Sequence, residues 1–194
     1  MMNAASTAGV MAQLAVQLAA FLALILLASG LHKLIRRHGS QTVAREFAGV
    51  PRMLAPFAVM AVAVTELLAG LLLLTPAYRA VGGVLAALIW AAYLGLILRA
   101  IAQGRRDVDC GCTFGISHRP LGALQVTRNS VLVVMAALVS GSAAVSGSAL
   151  DGLWSTAGGP AIASQILAAL ALAALYGALE QVMALTPPRG GVLL

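Results

Sequence analysis

Long runs of Leu, Ala, Val and Ile, broken by short clusters rich in Pro, Gly and Arg, set the pattern of this chain. Five such runs stand out, at residues 10–31, 54–74, 81–101, 121–139 and 161–185. Each approaches the roughly 20 residues that an α-helix, rising about 1.5 Å per residue, needs to cross a hydrocarbon core about 30 Å thick. Pro51 and Pro56 flank the start of the second run, Thr75-Pro76 closes it, and Pro120 and Pro160 precede the fourth and fifth. Proline suits the first turns and the ends of helices, so these positions punctuate helices rather than interrupt them. The pattern predicts an all-α, polytopic membrane helix bundle formed as one domain over residues 1–194.

Composition strengthens that expectation. The chain has 194 residues, 61% hydrophobic and 9% charged, with a mean hydropathy of +0.97. Soluble domains carry about 25% charged residues, and a chain with so few cannot cover itself with a wetted surface. The N-terminal run has no basic residue before it and exceeds the roughly 7–15 apolar residues of a cleaved signal, so it is expected to remain as a transmembrane helix. Gly141–Pro160, rich in Gly and Ser, reads as the longest loop, with Trp154 as an interfacial anchor. Gly82-Gly83, Gly95 and Gly177 read as positions where helix backbones approach closely.

The net charge of +6 changes the picture through its distribution. With five spans, Lys33, Arg36, Arg37, Arg45, Arg52, Arg99, Arg105, Arg106, Arg119 and Arg189 fall on one face and Arg79 alone on the other. Basic residues favour the cytoplasmic side, which predicts an inner-membrane protein with its N-terminus outside and its C-terminus cytoplasmic. The same residues serve as contacts for anionic lipid, with Lys33, Arg36 and Arg37 as interfacial anchors, and no nucleic-acid partner is called for. His32 and His38 are assigned no role.

Charged positions also lie deep within the apolar runs. "AVTELLAGLLLL" puts Glu66 near the middle of the second, and "LQVTRNSVLVV" puts Arg128 and Asn129 at similar depth in the fourth. An intramembrane charge costs about 2.5–3.5 kcal/mol on insertion scales, so such groups pair or face a cavity. The simplest arrangement pairs Glu66 with Arg128 and lets Asn129 satisfy a remaining lone pair. Such a pair fixes helix register; alternatively, Arg128 stabilises a thiolate, an anion or a membrane quinone while Glu66 relays protons.

"DVDCGCTFGISHRP", Asp107 to Pro120, holds the only cysteines, Cys110 and Cys112. A disulfide across one intervening residue closes a small, strained ring, which Gly111 helps to form and which strain makes easily reduced. Arg105, Arg106, Arg119 and the start of the following helix favour thiolate, against Asp107 and Asp109. Three readings stay open at this point: a redox-active dithiol, a metal site completed by His118 or an aspartate, and inert loop cysteines.

On these residues the chain resembles the methylamine-utilisation protein MauE family, a branch of the DoxX-like membrane proteins. The resemblance rests on "GLHKL" closing the first run, "FAGVPRMLAPFA", "ELLAGLLLL" with Glu66, the "CGCTFG" loop, and Arg128-Asn129. Thr113 stands here before Phe114-Gly115, where the family usually has Cys-Gly-Cys-Phe-Gly. The resemblance implies a four-helix DoxX-like core with one additional helix, and a part in maturing methylamine dehydrogenase or another extracytoplasmic client. It also implies a thioredoxin-like partner such as MauD, with Cys110 and Cys112 as the catalytic redox pair and Glu66, Arg128 and Asn129 as intramembrane polar residues. On that reading the chain is a membrane thiol-disulfide oxidoreductase. The alternatives are a membrane transporter of a small ligand or metal, and a non-catalytic assembly subunit. The arginine count places the cysteines inside whereas the client lies outside, which calls for a loop exposed alternately to the two sides or for electron exchange with a quinone.

Overall fold

The computed structural model describes residues 4–105, 122–156 and 159–185, all as helices and the turns between them. Among the described residues six α-helices follow in chain order: α1 (Ala4–Ile35), α2 (Arg37–Glu46), α3 (Ala55–Leu74), α4 (Arg79–Ala102), α5 (Ala123–Thr156) and α6 (Gly159–Leu185). A single 3-10 turn, Pro76–Tyr78, joins α3 to α4. Among the described residues, four stretches are long and apolar enough to cross a membrane: Gln13–Ile35, Ala55–Leu74, Pro76–Ala102 and Ala123–Ser142. The described part of α6 adds a shorter apolar stretch, Ile166–Ala178. The chain is an all-α, multi-pass membrane protein.

The spanning helices are apolar on every face, so residue size rather than polarity decides which face turns inward. Along α3 the buried positions include Ala55, Val59, Ala63, Glu66, Gly70 and Leu73, recurring every three or four residues as one face of a helix. Val64, Leu68 and Leu71, between them, are exposed. Small residues inside let backbones pack closely, while large ones outside present their bulk to lipid. The core joins Leu22 and Leu26 of α1, Leu73 of α3, Ala86 and Trp90 of α4, and Leu132 and Ala136 of α5. From α6, Tyr176 meets Phe21 of α1 edge to face, with ring centroids 5.9 Å apart.

Two glycines hold α1 against α3. A Cβ built on Gly30 would stand 2.9 Å from the Ala63 carbonyl oxygen, and one on Gly70 would stand 2.8 Å from Leu27 Cγ. Gly82 and Gly83 do similar service at the far end: a Cβ would lie 2.6 Å from the Leu73 nitrogen or 2.9 Å from the Ser140 nitrogen respectively. Gly95 and Gly177 do not fit their expected packing role, since a Cβ on either meets nothing within 4 Å among the described residues.

Two connections differ from the sequence reading. The Gly141–Pro160 stretch is not a loop: α5 continues through it to Thr156. Alanines and a leucine are strong helix formers, and they outweigh the scattered Gly and Ser. The segment between the first two spans contains α2, a polar helix whose Val43 packs on a small cluster of Phe47, Ile97 and Ala100. Arg105 donates to the Glu46 carbonyl oxygen and ties the end of α2 to the end of α4.

Candidate functional site

The helices run so that α1 ends, α3 begins, α4 ends and α5 begins at one end of the bundle, the end that carries α2. Residues 103–122 join α4 to α5 there. Between this end and the middle of the bundle lies a small cavity.

Its polar wall starts from α1. Ser29 and Lys33 are four residues apart and therefore share a face. The Cα–Cβ bonds of a helix tilt toward its N-terminus, so Lys33, two residues from the end of α1, aims back into the bundle. Gly30 sits between them at the close approach to α3, which brings that face to Glu66. Lys33 Nζ donates to Glu66 Oε1 and Oε2, each at 2.9 Å, and to Ser29 Oγ at 2.7 Å. Those three acceptors match the three protons of an ammonium group. Glu66 Oε1 also accepts from Tyr93 Oη at 2.5 Å and from Ser29 Oγ at 3.2 Å. Lys33 Nζ lies 5.5 Å from the centre of the Tyr93 ring, within cation–π reach.

Glu66 is fully buried, and the Lys33 side chain is 12% exposed. A lone carboxylate here would carry a large desolvation cost; the paired, multiply hydrogen-bonded one is compensated. Opposite, Arg128 and Asn129 of α5 line the same cavity, with Trp90 of α4 and Tyr176 of α6 closing it. Asn129 Nδ2 donates to the Gln125 carbonyl oxygen at 2.9 Å, while its buried Oδ1 has no hydrogen-bond partner among the described residues. About 20 Å³ of the cavity is free to the centre of a water molecule, room for one or two waters. That suits a water or a group of two heavy atoms and not the ring of a quinone.

The structure thus brings Glu66, Arg128 and Asn129 to one cavity, as their shared depth implied. It changes the ion partner: Glu66 is bridged by Lys33, which the sequence reading placed at the interface as an anchor. The reason is reach, because the lysine stem spans from the end of α1 to the depth of Glu66 and its Cβ already points that way. Ser29, Lys33 and Tyr93 went unrecognised as site residues; the Ser29/Lys33 spacing of four was the available signal. Arg79, read as a loop charge, is buried, with Nε donating to the Leu73 carbonyl oxygen at 3.3 Å. Cys110 and Cys112, with Asp107, Asp109, His118 and Arg119, lie outside the described residues.

The family model described as methylamine utilisation protein MauE matches residues 11–142. The matched stretch holds Ser29, Lys33, Glu66, Tyr93, Arg128 and Asn129, together with both cysteines. No curated protein and no solved structure matches the chain.

Proposed function

The chain belongs to the MauE family of methylamine utilisation, and from that premise we propose that it exchanges thiol and disulfide equivalents through Cys110 and Cys112. The partner is a thioredoxin-like protein such as MauD, and the exchange serves maturation of methylamine dehydrogenase or another extracytoplasmic client. One observation carries this reading. The segment with both cysteines joins α4 to α5 in the chain, the helices that supply Trp90, Tyr93, Arg128 and Asn129 to the cavity.

In the exchange, the thiolate of one cysteine attacks a sulfur of the partner's disulfide and forms a mixed disulfide, releasing one partner thiolate. The second cysteine then attacks the first, which leaves a Cys110–Cys112 disulfide and a reduced partner. Run backwards, the same two steps oxidise the partner's dithiol. The basic end of the bundle, with Arg36, Arg37, Arg45, Arg52, Arg99 and Arg105 exposed, is the cytoplasmic one on the positive-inside rule, which puts the N-terminus outside.

Single Cys110→Ser and Cys112→Ser variants test the reading, because each halts the exchange at the mixed disulfide. One of them is expected to retain a thioredoxin-like protein in a complex that dithiothreitol releases. Failure of both to trap any protein, with full client maturation in the double Cys110→Ser/Cys112→Ser variant, overturns the proposal. Labelling of the cysteines in intact cells by a membrane-impermeant maleimide overturns the assigned orientation.

A further inference from the structure

Lys33 is held the way a bound primary amine would be held. Its three ammonium protons meet three acceptors, Ser29 Oγ and the two oxygens of Glu66, at 2.7–2.9 Å. The Tyr93 ring stands 5.5 Å away, and Tyr93 Oη fixes the carboxylate from the other side at 2.5 Å. A buried carboxylate, a hydroxyl acceptor and an aromatic face together form a recognition set for a cation that carries N–H donors.

The geometry points to a binding site for a primary ammonium group made by Ser29, Glu66 and Tyr93, filled by Lys33 in this state and open to a small primary alkylammonium ion when Lys33 withdraws. Withdrawal is within the reach of the side chain. Lys33 lies two residues from the end of α1, is already 12% exposed, and carries its charge on a flexible four-carbon stem. The exchange leaves the charge of the cavity unchanged, one ammonium for another, so Arg128 on the facing wall does not oppose it more than it opposes Lys33. Entry without withdrawal would bury a second cation beside the first, and the two therefore compete.

Size restricts the ligand. The free space beside the pair accommodates one or two water-sized groups and has Ile25, Leu26 and Leu132 on its apolar side. That admits a methyl group, so methylammonium is the probe. Tetramethylammonium has the charge without N–H donors, and potassium has neither the donors nor the alkyl group.

The test removes the tethered occupant. Purified Lys33→Ala protein in detergent is compared in equal concentrations of the three chloride salts by thermal unfolding. Methylammonium near saturation is expected to raise the melting temperature by roughly 5 °C, with tetramethylammonium and potassium giving no such rise and Lys33→Ala/Glu66→Gln showing no response. An equal response to all three salts, or a rise that persists in the double variant, overturns the site. Wild-type protein supplies a second measurement that needs no fragile variant: saturation transfer from protein to methylammonium at high concentration by NMR. Transfer that weakens in Ser29→Ala supports the site, and transfer that is absent or unchanged by Ser29→Ala overturns it. Neither measurement involves the cysteines, so failure here leaves the thiol exchange standing, and failure of trapping leaves this site standing.

Discussion

The two ends of the bundle are closed in different ways. At one, α3 passes into α4 through the three-residue Pro76–Tyr78 turn, Gly82 lies on the Leu72-Leu73 backbone, and Gly83 lies on Ser140 of α5. Arg79 is buried there, bonded to the last turn of α3. At the other end the connections are long, α2 lies across the helix ends, and closure falls to side chains gathered round the Lys33–Glu66 pair. The first end is built from backbone contact and has no room to adjust. The second is built from a flexible lysine and hydrogen bonds, which can be broken and remade. A rigid joint on one side lets three helices hold Glu66, Tyr93 and Asn129 in register around the cavity.

The contrast predicts a graded series. The largest effect belongs to Glu66→Gln, which leaves the Lys33 ammonium without its counter-charge and is expected to lower stability by about 3 kcal/mol. The double variant Lys33→Met/Glu66→Leu is expected to recover most of that loss, and a cycle of denaturant unfolding in mixed micelles measures the coupling. Gly82→Ala comes next, because its Cβ would meet backbone atoms at 2.6 and 2.8 Å that cannot turn aside. The expected cost is about 2 kcal/mol by the same assay. A loss as small as that of a lipid-facing substitution would remove the distinction between the two ends.

Tyr93→Phe keeps the ring over Lys33 and removes only the hydroxyl donated to Glu66. It is expected to cost about 1.5 kcal/mol, and the bond it breaks can be followed as a shift of the Glu66 carboxylate stretch in infrared spectra. Gly95→Ala sits at the small end of the series. With nothing near the added methyl, and alanine the better helix former, it is expected to be neutral or to stabilise by up to about 1 kcal/mol. A clear loss at Gly95 would mean that small residues matter along all of α4 rather than at its tight end.

Much of this was legible without coordinates. The apolar runs at residues 54–74, 81–101 and 161–185 coincide within two residues with α3, α4 and α6, because proline and charge mark helix ends by local sterics and solvation. Glu66, Arg128 and Asn129 line one cavity, in keeping with their similar depth, though Glu66 pairs with Lys33 and not with Arg128. Two local signals misled. The Gly/Ser content of residues 141–156 suggested a loop by the propensities of water-soluble chains, while the bundle carries it as helix. Glycine in a span equally suggested close packing, which holds for Gly82 and Gly83 and fails for Gly95 and Gly177.

By itself, then, the sequence determined that the chain crosses the membrane repeatedly, where most helices lie, and which buried charges demand partners, since transfer of apolar and charged groups between water and lipid depends on residue type and depth alone. Only the tertiary structure decided which cation answers Glu66. That choice rests on the close approach of α1 to α3 at Gly30 and on the direction in which Lys33 leaves its helix, two facts about helices side by side that no single run of residues contains.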